Sequence, residues 1–170
     1  MKSKIMVSEC EIIDTEELYY NKPFFRKMNP LDIEYNITLI LQNNPHPNVV
    51  PIYNSSSIML DIELLNIDIG TLIEENKRLF ITDLLRAKKH LHNIGIVYID
   101  WNINNIGYSV TDECFKIFDF DGGGIFNINT NDWIMSPNNF YSYKTAINNY
   151  LINPIDIDDY CFFNYSKFFK

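Results

Sequence analysis

Three oxygen-bearing side chains at fixed intervals, Asp100, Asn105 and Asp119, constrain this chain more than any bulk property does. Asp100 and Asn105 lie in Gly95-Ile-Val-Tyr-Ile-Asp100-Trp-Asn-Ile-Asn-Asn105, and Asp119 follows an apolar run in Lys116-Ile-Phe-Asp119-Phe-Asp121. Each alone is a weak signal, because most loop Asp residues cap turns and Asn is abundant in this chain. Asp119 has fewer innocent explanations, since a carboxylate at the end of an apolar strand is costly unless paired or placed on a metal. In this order, and about a strand-hairpin apart, the three offer a carboxylate for an attacking hydroxyl and two oxygen ligands for magnesium on phosphates. That is the set phosphoryl transfer requires.

The rest of the composition sets limits. A chain of 170 residues makes one domain with a real core or two very small lobes. With 46% hydrophobic and 15% aromatic residues it is globular rather than disordered. A net charge of -8 argues against nucleic acid or an anionic membrane as the main partner and otherwise serves solubility. Cys10, Cys114 and Cys161 are scattered, and His46, His90 and His92 are isolated. Neither a disulfide framework nor a zinc site is expected, and a reducing, cytoplasmic compartment fits. The first ten residues lack the apolar stretch of a secretion signal, and no run approaches a membrane span. Abundant Ile and Asn, two Ala, and Lys well above Arg point to an AT-rich coding genome, such as that of a virus or an intracellular bacterium.

Along the chain, residues 1–28 read as strands and turns around Ile12-Ile13, Leu18–Tyr20 and Phe24-Phe25. Asn29-Pro30 reads as a helix start, with Asn capping free amides and Pro in the first helical position. Ile33, Ile37, Ile40 and Leu41 follow at helical spacing, and Asn43-Asn44-Pro45-His46-Pro47 ends the helix. Strands are predicted over Val49–Tyr53 and Ile58–Leu65. Phe80, Leu84, Ala87 and Leu91 predict a second helix, followed by a strand over Ile94–Ile99 and a hairpin over 106–120. Gly122-Gly123-Gly124, half of all the glycine, marks backbone that must bend freely. The remainder reads as polar loop up to a final helix near 156–169. No repeat or long linker divides the chain.

Taken in order, these segments resemble the protein kinase superfamily from its third strand to its sixth helix. Pro45-His-Pro-Asn-Val-Val-Pro-Ile-Tyr53 resembles the segment after the family's first large helix, and Met59-Leu-Asp-Ile-Glu63-Leu-Leu65 its fifth strand and hinge. Leu91-His-Asn-Ile-Gly-Ile-Val97 resembles the run into the catalytic loop. Asp158-Asp-Tyr-Cys-Phe162 resembles the helix start whose Asp braces that loop from below. The short region after it, and the Asp100-x-Asn102 form of the loop, are similar to small kinases secreted into host cells by bacterial pathogens and to compact viral kinases. The resemblance implies an α+β protein in one two-lobed, kinase-like domain. Its reduced, strand-rich N-lobe would cover 1–64 and its truncated helical C-lobe 65–170.

Residue by residue, the resemblance implies that Asp100 orients or deprotonates a substrate hydroxyl and that Asn105 and Asp119 bind Mg2+. Glu34 would pair with a lysine of the preceding strand, Lys27 in Phe24-Phe-Arg-Lys-Met28, with Arg26 the alternative in that frame. Glu63 and the backbone near Leu65 would meet the adenine of ATP. Asn102 stands where a lysine is usual and would hydrogen-bond a phosphate oxygen without neutralising it. The chain also departs from the family. Residues 1–28 hold no glycine, so a phosphate cradle of backbone amides is not expected. Tyr98-Ile99 replaces His-Arg, so activation by a phosphorylated loop is not expected. Asp121 replaces the glycine after Asp119-Phe120 and reads as a solvated turn, with an extra metal ligand as the alternative.

The expected function is that of a minimal protein kinase, moving the γ-phosphate of ATP to Ser/Thr hydroxyls of a protein. The small C-lobe would leave substrate docking to a partner such as an activating host protein. The departures leave open a pseudokinase that binds a host kinase or its regulator. Phe118-Asp119-Phe120-Asp121-Gly122 also reads as the motif of haloacid-dehalogenase-type phosphatases, with Asp119 as nucleophile and Asp121 as acid/base. Only about fifty residues would then remain for a doubly wound sheet. A small-molecule kinase of the aminoglycoside type shares the Asp/Asn/Asp layout. Tyr160, Phe162, Phe163, Phe168 and Phe169 read as core or as an exposed partner surface.

Overall fold

Apolar stripes at helical spacing organise the packing. In a computed structural model, residues 23–138 and 140–167 are described in full and residues 10–13 as backbone. Helix α1 (Asp32–Asn43) buries Ile33, Ile37 and Leu41; α3 (Lys77–Asn93) buries Phe80, Leu84, Ala87 and Leu91. Strands β1 (Cys10–Ile13), β2 (Phe24–Met28), β3 (Ile52–Ser55) and β4 (Met59–Glu63) form an antiparallel sheet in the order β1-β2-β4-β3, with α1 packed on β3. A short α2 (Gly70–Glu75) leads into α3.

Two smaller antiparallel sheets complete the mixed α/β architecture. Strands β6 (Ile106–Ser109) and β7 (Cys114–Ile117) form a hairpin seated on α3. There Phe80 meets Phe115 edge-on at 5.0 Å, and Asp83 accepts the Phe115 N–H at 3.0 Å. Strands β5 (Ile96–Val97), β8 (Gly124–Phe126) and β9 (Trp133–Met135) form the third sheet. Helices α4 (Tyr141–Asn148) and α5 (Pro154–Ser166) pack together, with α5 also against β5. Among the described residues no helix is long and apolar enough to cross a membrane.

Several elements differ from the sequence reading, each for a local reason. Asn29 does not cap α1; its backbone is left-handed (φ 52°) and its N–H bonds to the Ile58 carbonyl at 2.9 Å. Leu31 holds the cap position, with no side-chain cap bond. The strand expected over Val49–Tyr53 lies at Ile52–Ser55. The strand expected over Ile94–Ile99 is confined to Ile96–Val97, because Ile99 turns left-handed (φ 66°). The hairpin strand ends at Ile117. The stretch read as polar loop contains β8, β9 and α4, whose short apolar runs gain strand or helix character only by packing. Helix α5 begins at Pro154, where Asn153 accepts the amides of Ile155 and Asp156 at 2.9 and 3.3 Å. Leu18–Tyr20, Phe168 and Phe169 lie outside the described residues; Phe162 is buried and Phe163 is exposed.

The glycine triplet serves close approach rather than free bending. None of the three has positive φ. A Cβ on Gly122 would lie 2.9 Å from the Asp100 Cβ, and one on Gly123 would lie 2.8 Å from Ile37 Cδ1 and 3.0 Å from the Val97 carbonyl. Gly123→Ala should therefore destabilise the fold by about 2 kcal/mol in urea denaturation, while Gly70→Ala, with nothing within 4 Å, should change little.

Away from the sheets, His46 stacks on His90 with centroids 4.5 Å apart, and its Nδ1 accepts the Asn48 N–H at 3.2 Å. Burial, with the charges of His90 and Arg86, lowers the His46 pKa below its ordinary 6.5. The unfolded chain thus takes up this proton first. The His46 contribution is present above the unfolded value and is lost as pH falls through the folded one. The thermal midpoint should fall between about pH 7 and about pH 5, and His46→Gln should fall less over the same range.

Candidate active site

The pleat of β2 decides which cation faces which neighbour. Arg26 and Lys27 point to opposite faces of the sheet. Arg26 forms a two-pronged ion pair with buried Asp61, its cross-strand partner on β4, at 2.6 and 2.8 Å. Lys27 reaches Glu34 of α1 at 2.8 Å, Asp119 at 2.8 Å and Asp121 at 3.7 Å. The alternative frame with Arg26 at this point is excluded by geometry. Glu34 is 1% exposed, and its Oε1 has no hydrogen-bond partner.

Three carboxylates therefore surround one ammonium. Burial alone would lower the Lys27 pKa, but Glu34 and Asp119 together raise it well above the usual lysine range. Burial raises the Glu34 pKa, with Lys27 opposing and Asp119 and Asp121 adding to the rise. Burial also raises the Asp121 pKa, helped by the charges of Asp119 and Asp100. Asp121 lies in a turn, as expected, but its carboxylate is part-buried 3.7 Å from Lys27 and takes part in the cluster.

The Asp100 loop is built from main-chain bonds and one brace. The Asn105 amide donates to the Asp100 carboxylate at 2.8 Å and to the Asp100 carbonyl at 3.2 Å. Asn102 accepts the Asn104 N–H at 2.8 Å and donates to the Asp100 carbonyl at 3.4 Å, so its side chain closes a single 3-10 turn over Ile103–Asn105. Phe118 N–H bonds to the Asn105 carbonyl at 3.0 Å, which ties the backbone just before Asp119 to the end of the Asp100 loop. The buried Tyr98 hydroxyl reaches the carbonyls of both Asn105 and Phe118. Beneath the loop, Asp158 accepts the Ile99 N–H at 2.8 Å, the Trp101 indole N–H at 2.7 Å and a contact from His92 at 2.7 Å.

Glu63 lies apart from these groups. Its carboxylate is engaged by Ser109 and by Lys116, each at 2.7 Å, and Lys116 also contacts Asp112. The Glu63 N–H in turn bonds to the Pro51 carbonyl at 3.1 Å, so neither its carboxylate nor its amide is left for a ligand, contrary to the expectation that Glu63 meets adenine. Leu65 is buried next to it. The sequence reading missed Lys116, Tyr98, Trp101 and Asp61. A lone lysine inside the apolar run Phe115–Phe118 was the available signal for the first; the others look like ordinary core or strand residues in sequence.

Among the described residues no three His, Cys, Asp or Glu side chains cluster as a metal cage. Mg2+ is ordinarily held by one or two carboxylates plus phosphate oxygens and water. Asp119 and Asn105 carry oxygen atoms of the kind that would hold such an ion.

No family model and no curated protein sequence matches the chain. Among solved structures the chain is similar to the Cydia pomonella granulovirus kinase PK-1, with 19% identity and a TM-score of 0.53, over 69% of this chain and 48% of that one. It spans about half the length of that viral kinase. The fold is kinase-like.

Asp158→Ala would strand the Ile99 and Trp101 N–H groups in the core. It should cost about 3 kcal/mol, measured by chemical denaturation.

Proposed function

We propose that the chain is a magnesium- and ATP-dependent phosphotransferase that phosphorylates protein Ser/Thr hydroxyls. One observation carries the reading: Lys27 bridges Glu34 and Asp119 while the Asn105 amide holds the Asp100 carboxylate. The kinase-like fold supports it. In this reading residues 1–64 form the N-lobe and 65–170 the C-lobe, with ATP between them.

Each residue has a chemical task. The Lys27 ammonium draws phosphate oxygens, and Glu34 keeps it aimed. Asp119 and Asn105 hold magnesium, which neutralises charge on the transferring phosphoryl group when bound. Asp100 accepts the proton of the substrate hydroxyl, or orients that hydroxyl for in-line attack. Asn102 offers an amide where a cation would neutralise phosphate, so slow turnover is expected. The backbone near Leu65 meets adenine. Substrate docking would use an activating partner protein, and the chain would work in a reducing cytoplasm, without nucleic acid.

A pseudokinase is the second reading, favoured by the engagement of the Asn102 side chain within its own turn. The haloacid-dehalogenase reading loses ground, since the three described sheets are antiparallel and not a doubly wound parallel one.

Incubation with radiolabelled ATP and magnesium tests the proposal. Wild type should label protein substrate, and Asp100→Asn and Asp119→Ala should each lose about a thousandfold. Labelling that survives Asp119→Ala would sink the assignment. Mg-ATP at about 100 times Kd should stabilise the fold by about 2.7 kcal/mol; magnesium alone should do much less. A shift without transfer selects the pseudokinase, and transfer to an aminoglycoside rather than to protein selects the small-molecule kinase.

A further inference from the structure

Asp119 is left-handed (φ 61°), and the buried Phe120 that follows it packs edge-on against Tyr98 with centroids 5.2 Å apart. The residues on either side of Phe120 go the other way, and both Asp119 and Asp121 reach toward Lys27. The backbone beyond Asp121 is fixed without help from that lysine. Gly122 lies against Asp100, and Gly123 lies against Ile37 of α1 and the Val97 carbonyl, with no room for a side chain at either. The Gly123 N–H also bonds to the Phe120 carbonyl at 3.0 Å. Packing thus holds Asp121 in place, and the approach of its carboxylate to Lys27 is a consequence.

The three acids around the ammonium are unequal. Glu34 is 1% exposed and 2.8 Å from Lys27, and a buried carboxylate stripped of its cation is strongly unfavourable. Asp119 also lies at 2.8 Å, within hydrogen-bond range. Asp121, at 3.7 Å, is beyond that range and attracts Lys27 through charge alone. An ammonium has three N–H donors, so Glu34 and Asp119 leave one. A phosphate oxygen that takes this donor at about 2.8 Å lies roughly 6.5 Å at most from the nearer Asp121 oxygen. Like charges that close, in a part-buried site, repel with little screening.

We propose that Asp121 is a built-in competitor at the phosphate position: its carboxylate contends with ligand phosphate for Lys27, and so selectively weakens ligands that carry phosphate while sparing nucleosides. The proposal rests on the reading of Lys27 as the phosphate-binding group of a phosphotransferase. An incoming phosphate must turn the Asp121 side chain aside or bear its repulsion, because the pinned backbone does not withdraw with it. A nucleoside brings no charge and meets neither obstacle.

Calorimetric titration of the full chain with adenosine and with ADP tests the proposal, in EDTA so that no divalent cation intervenes. The quantity read is the ratio of the two dissociation constants within one protein, so a change that affects both ligands alike cancels. Loss of one negative charge at this distance should increase the preference for ADP over adenosine about tenfold relative to wild type. The increase should appear in Asp121→Asn, which keeps the shape of the side chain, and in Asp121→Gly, which removes it. Asp132→Asn removes the same charge from an exposed residue between β8 and β9 and should leave the ratio at its wild-type value.

Equal ratios in wild type and both Asp121 variants overturn the proposal and leave the kinase reading standing. An increase shared by Asp132→Asn overturns it as well, since net charge and not position would then be responsible. An increase confined to Asp121→Gly marks backbone freedom, and one confined to Asp121→Asn marks a new hydrogen bond; either result overturns the competition. If neither ligand binds any of the proteins and ATP labels no substrate, the kinase reading falls and this proposal falls with it.

Discussion

A carboxylate with no access to solvent sets the geometry above it. Asp158 takes the Ile99 amide, the Trp101 indole and His92 at once. Ile99 is β-branched and left-handed, a conformation that surrounding structure must impose. The bond from its amide to Asp158 is such an imposition. Once Ile99 is turned, Asp100 emerges at the end of β5, and Asn105 folds back on it. Helix α5 thus matters to the site although none of its residues enters the Lys27 cluster.

The second constraint is a charge balance spread over three elements. Lys27 comes from β2, Glu34 from α1, and Asp119 and Asp121 from the segment between β7 and β8. One ammonium stands among three carboxylates; burial raises the pKa of Glu34 and Asp121, and the neighbouring acids add to the rise. The cluster links the four-stranded sheet to the segment that carries Asp119 and Asp121. A second clasp, Lys116 with Glu63 and Asp112, ties the end of β4 to the hairpin on the other side of Leu65.

Much of this was legible in sequence because it depends on local spacing. The stripes of α1 and α3, the pairing of Lys27 with Glu34 and the bracing position of Asp158 follow from periodicity or from segment resemblance. The missed elements, β8, β9 and α4, are too short for a period to declare itself, and partners distant in the chain define them. Asn29 misled because a cap-forming residue next to proline suits a left-handed turn equally well. Asp121 misled because its involvement depends on where β2 lies, and no local pattern reports that.

The sequence by itself determined the chemical inventory: an Asp, an Asn and an Asp in order, a lysine on a strand, a glutamate on the following helix, and apolar stripes to carry them. These are local patterns, and local physics reads them. Only the tertiary structure decided that Lys27 meets Glu34 and Asp119 while Arg26 meets Asp61, and that Asp121 joins the Lys27 cluster. Each depends on which face of an element meets which distant neighbour, and that is settled when buried groups must find partners across the whole chain.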